Sequence, residues 1–122
     1  MKIVIPTNSN KGLLSEMGAH FGKANYYTIV EIEGNEIINV EVVKNPGHSG
    51  GACGSAVNNI LQLKPDALIV VGIGPNPAMG FYKAGLPLFV DKSSQKVEES
   101  IKKLLNNQLP RVMMQGTCGV KS

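Results

Sequence analysis

The sequence predicts an α/β protein, with a mixed sheet of about five strands, an antiparallel hairpin and three helices in one domain. Three observations carry this. Residues 26–33 and 37–43 alternate apolar and polar side chains on either side of Gly34-Asn35, the signature of a tight hairpin. Ala67-Leu68-Ile69-Val70-Val71 is apolar without alternation, as expected of a central strand covered on both faces. Helical spacing then recurs at Ala56, Val57, Ile60, Leu61 and Leu63, and again at Val97, Ile101, Leu104 and Leu105.

Taken in order, Lys2 to Pro6 reads as a buried strand around Ile3-Val4-Ile5. From Thr7 to Ala24, Asn8, Asn10, Gly12, Gly18 and Gly22 supply too much turn chemistry for a regular element, so a long loop is expected. Loops of that length in small domains are commonly functional, which singles out His20. In the hairpin, Val30 and Ile32 share a face with Ile38, Val40 and Val42. Glu31, Glu33, Asn39 and Glu41 turn to the other, so one hairpin face should be solvated. A first helix should run from about Ala52 to Leu63, where Lys64-Pro65 stops it. Asn76 and Pro77 read as the N-cap and first residue of a second helix that continues to Gly85. Leu86–Val90 is a short strand near an edge because of Pro87. Ser94 is the expected cap of the last helix, with Glu98–Lys102 and Glu99–Lys103 pairs on its wet side. Arg111–Met114 reads as a weak strand before a Gly116–Gly119 tail.

The chain has 122 residues, 43% hydrophobic and 17% charged, enough for one real core and too ordered in composition for a disordered chain. A net charge of +3, with basic residues scattered and not interleaved with aromatics, argues against nucleic acid as partner. No apolar run approaches the roughly 20 residues that span a bilayer, so no membrane partner is expected. The chain opens directly with a strand, and a cytoplasmic protein is expected. Two cysteines in such a setting are more often thiols or ligands than a staple, although a Cys53–Cys118 disulfide stays open.

The chemistry concentrates in Pro46–Ala56, which holds His48, Cys53 and four glycines, Gly47, Gly50, Gly51 and Gly54. Glycines such as Gly51 allow the backbone to approach a bound group closely. Cys53 falls in the first helical turn, where free N–H groups and the dipole favour thiolate. If the strands at 2–6, 67–71 and 86–90 run parallel, their following loops share one sheet end, and His20, His48 and Cys53 converge there. Two helix N-termini point at the same rim, a setting for an anionic ligand. A soft or borderline metal could take ligands from His20, His48, Cys53 and Cys118, with Met17 as a further soft donor. His48-x4-Cys53 fits no zinc-finger pattern and no C-x-x-C exists, so an open site, or one shared between subunits, is expected. Gly72-Ile73-Gly74 lacks the remainder of a nucleotide motif; Gly74 is expected to offer backbone N–H groups to an anion at the rim. No Ser-His-acid order or carboxylate pair marks an enzyme.

Ile3-Val4-Ile5-Pro6, then His20-Phe21-Gly22-Lys23-Ala24, the Tyr26–Glu33 hairpin, Asn45-Pro46 before a glycine-rich helix start, and Ile73-Gly74 together resemble the dinitrogenase iron–molybdenum cofactor biosynthesis family over nearly the whole chain. The resemblance implies an RNase-H-like fold. For some members it implies binding or carrying of an iron- or molybdenum-containing cluster or its precursor, with metallocofactor assembly proteins as partners. His20 carries over as the family histidine; His48, Cys53 and Cys118 inherit no role. Nuclease chemistry is not implied, since the strands at 2–6 and 67–71 hold no internal carboxylates. A thiol-based redox or regulatory protein using Cys53 and Cys118 is the alternative, a plain interaction module is the third reading, and a homo-oligomer stays open.

Overall fold

The computed structural model describes residues 1–18, 24–45 and 53–109, with the backbone alone at 53–56 and 76. Five strands and three helices follow one another as β1 (Lys2–Thr7), β2 (Tyr26–Glu33), β3 (Glu36–Lys44), α1 (Cys53–Gln62), β4 (Ala67–Val70), α2 (Pro75–Lys83), β5 (Leu88–Val90) and α3 (Val97–Leu105). The sheet order is β3-β2-β1-β4-β5. β1 is antiparallel to β2 and parallel to β4, β4 is parallel to β5, and β2 and β3 form the antiparallel hairpin. The expected mixed sheet is therefore present, with the short proline-preceded strand at one edge.

Burial sorts the side chains into two layers. Val4, Tyr27, Ile29, Leu68, Val70 and Leu88 face α1 and α2, where Val57, Ile60, Ala78 and Phe81 meet them. Ile3, Ile5, Val30, Ile32, Ala67 and Ile69 face Val97 and Ile101 of α3. Each strand in the middle thus buries both of its faces, which is why β1 and β4 read as unbroken apolar runs. α1 and α2 lie close enough that a Cβ on Gly80 would stand 3.4 Å from Val57 Cγ1.

Several local expectations are corrected. β2 is not solvated on one face: Tyr27 and Ile29 are buried on one side and Thr28, Val30 and Ile32 on the other, because helices cover both sides of the sheet. Exposure falls instead on β3, the edge strand. A register shift between Glu31 and Ile32 pairs Glu31 with Asn39 but Ile32 with Ile37, leaving Ile38 as a bulge residue. α2 starts at Pro75 with Gly74 as N-cap, earlier than Asn76 and Pro77. The reason is Pro75, whose fixed φ and missing N–H suit the first helical position and push the preceding residue to extended ψ, 165° at Gly74. α3 is capped at Lys96, not Ser94. Glu99 Oε1 folds back to accept N–H bonds from Gln95 at 2.9 Å and Lys96 at 3.1 Å. The loop after β1 is also less irregular than expected: a 3₁₀ turn occupies Gly12–Leu14, and single bridges join Thr7 to Met17 and Glu16 to Lys96. The strand expected at Arg111–Met114 lies outside the described residues.

Candidate functional site

Strand directions bring four chain connections to one end of the sheet. β1, β4 and β5 end there, and since Thr7 pairs with Tyr26 and Tyr26 with Lys44, β2 begins and β3 ends there too. The connections 8–25, 45–52, 71–74 and 91–96 consequently share this carboxyl end, where ligands bind in open α/β sheets. α1, α2 and α3 follow three of these connections, so their N-termini and unbonded N–H groups are on the same side.

The first connection is pinned at its base. Thr7 and Thr28 are fully buried and joined by a hydroxyl hydrogen bond of 3.1 Å. Ser15 Oγ donates to Ser9 O at 2.9 Å and accepts from Lys11 N–H at 2.7 Å, which closes the turn. Asn8 N–H donates to Glu16 O, Gly18 N–H to Pro6 O at 2.9 Å and Met17 N–H to Gln95 O. Met17 is buried in the α3-side core, so it is a packing residue and not the additional soft donor expected. The segment 19–23 then leaves from Gly18 and returns at Ala24. A Cβ on Gly18 would stand 3.1 Å from Ala24 Cβ and 3.4 Å from Asn8 Oδ1, so the two ends of that segment lie close together and a side chain at residue 18 would make Ala24 give by a few tenths of an ångström.

Asn45 ties the second connection to this base. Its backbone N–H donates to Asn25 O at 2.9 Å, and its side-chain Nδ2 donates to Ala24 O at 2.7 Å in a buried setting. Asn25 Nδ2 in turn donates to Asn8 O at 3.2 Å. The segment containing His20 therefore ends, and the glycine-rich segment containing His48 begins, on one hydrogen-bonded clamp. The other end of the glycine-rich segment is fixed by α1, which starts at Cys53 and so places it in the first turn, as the sequence predicts.

Gly74 sits at the N-cap of α2 on the same side with an ordinary φ of −74°. A Cβ there would meet Pro77 at 3.7 Å, an ordinary contact, so neither strain nor crowding demands glycine. After β5, Asp91 is buried at 3% exposure and Oδ1 accepts from Ser93 N–H at 3.1 Å and Ser94 N–H at 3.0 Å. Lys103 reaches this group, with Nζ 3.6 Å from Oδ1 and a hydrogen bond to Ser93 Oγ, and forms its ion pair here in place of the expected one with Glu99. Burial alone would raise the Asp91 pKa, but donors from Ser94 and Ser93 outweigh it and lower it to about 2. Asp91 is thus an ionised, structural carboxylate with Lys103 beside it. Exposed charge at this end of the sheet is mainly positive: Lys11, Lys92 and Lys96 on the described connections and Lys44 at the end of β3, against Glu16. Tyr27 lies beneath the same end; its buried phenol has a raised pKa because of burial, opposed by the Asn59 side chain.

Of the expected site residues, Cys53 and Gly74 are placed at two helix starts on this rim, while His20, His48, Gly51 and Cys118 lie outside the described residues, as does the Cys53 side chain. Among the described residues no group of three or more His, Cys, Asp or Glu side chains is arranged to hold a metal ion. No helix among them is long and apolar enough to cross a membrane. Sequence reasoning did not pick out Asn45 as the clamp. Its signal was an asparagine standing between the last strand residue and Pro46, where the ladder ends and a backbone carbonyl needs a donor. The lysines were scattered in sequence, and only the topology gathers them.

Residues 1–107 match the family described as dinitrogenase iron-molybdenum cofactor. The chain belongs to this family. An uncharacterised protein of Methanocaldococcus jannaschii is 30% identical over 113 residues, 91% of either chain. The crystal structure of PH0822 superposes with a TM-score of 0.78 at 28% identity, covering 92% of this chain and 96% of the other. The apo form of the orange protein from Desulfovibrio gigas has a TM-score of 0.76 at 20% identity, covering 91% and 92%, and so shares the fold. A candidate NifB protein from Thermotoga matches at 0.73 and 25% identity, covering 90% and 91%. Family membership connects this chain to a metal cofactor.

Proposed function

We propose that the chain binds an iron- or molybdenum-containing anionic cluster, or a precursor of one, at the rim between the His20 and Pro46–Ala56 segments, and carries it to metallocofactor assembly proteins without catalysing a reaction. The observation that carries this is the Asn45 clamp, which fixes the end of one ligand-bearing segment and the start of the other to the same buried carbonyl. Independent loops would have to be ordered by the cargo at a cost in entropy; two loops joined at the base begin partly arranged. The donor set suits such a cargo: imidazole from His20 and His48 and thiolate from Cys53, with Cys118 in the tail. Cys53 at the first position of α1 has the helix N-terminus to favour its thiolate. Three helix starts and the exposed lysines supply the positive field that a cluster of negative charge requires.

The test is anaerobic reconstitution of the full chain with iron, sulfide and molybdate, followed by metal analysis and visible absorbance. Wild type should take up metal and gain a chromophore, and His20→Ala and Cys53→Ala should each lose most of it. If wild type remains colourless, or both variants load as wild type does, the assignment fails. A reversible Cys53–Cys118 disulfide in colourless samples would select the redox function instead.

A further inference from the structure

We draw no further inference here: the strongest candidate, the exposed outer edge of β3 with Ile37 and Ile38, carries nothing, because nothing in the structure shows what covers it.

Discussion

Gly18 and Gly74 both stand where chain leaves the carboxyl end of the sheet, yet a side chain would meet a wall at Gly18 and open surroundings at Gly74. At Gly18 the neighbours are Ala24 Cβ and Asn8 Oδ1, both parts of the clamped base. At Gly74 the nearest atoms belong to the ring of Pro77, at ordinary distance. Glycine at the first is favoured by tight packing; at the second it is one N-cap among several that would serve. The rim is therefore built unequally, with a tightly determined half on the β1–β2–β3 side and a tolerant half on the β4–β5 side.

Five substitutions probe that inequality. Asn45→Ala removes a buried donor and leaves Ala24 O without it, and should cost about 1–3 kcal/mol in denaturant unfolding. It should also abolish cluster uptake at temperatures where the protein stays folded. Gly18→Ala should cost about 1–2 kcal/mol, because Ala24 must shift by a few tenths of an ångström to admit the methyl group. Equal loss from Gly18→Ala and Gly74→Ala would remove the distinction. Asp91→Asn, on the tolerant side, tests charge. The native carboxyl has a pKa lowered from 3.8 to about 2, so its stabilisation is fully present above pH 4 and is lost as pH falls towards 2. After allowance for solvent screening this is on the order of 1–2 kcal/mol at neutral pH, and the variant's acid unfolding midpoint should rise by a fraction of a pH unit. The smallest effect belongs to Gly74→Ser. Serine is a good N-cap at this φ and ψ, so stability should change by about 0.5 kcal/mol or less. Loss of cluster uptake in Gly74→Ser, with stability retained, would show that the cargo needs the bare backbone of Gly74.

The fold was legible because its two strongest signals are local. Alternation around Gly34-Asn35 marks the hairpin, and the unbroken apolar run at Ala67–Val70 marks a strand covered twice. Parallel pairing of β1 with β4 entered the sequence reading only as a condition, and the structure meets it. Helix starts were harder, since Asn76 and Ser94 have cap chemistry yet lost to Pro75 and to the Glu99 carboxylate, which act through neighbours a cap rule does not see. For the site, Cys53 at a helix start could be read from the sequence. The joining of Asn45 to Ala24 could not, because it spans 21 residues and depends on the hairpin register. The same holds for Met17, which looks like a soft donor until the Thr7–Met17 bridge turns it into the core.

The strand order has a consequence for synthesis. β1 is made first but occupies the middle of the sheet, with β2 on one side and β4 on the other. The hairpin covers the first side as soon as residue 44 has emerged, since Ile3 pairs with Val30. The second side waits for Ala67 and Leu68, the partners of Ile3 and Val4. Throughout that interval a nascent chain presents Ile3-Val4-Ile5 with one row of backbone groups unpaired, an adhesive apolar segment. Slowing elongation between residues 44 and 67 should accordingly raise misassembly, whereas a pause after β5 should not.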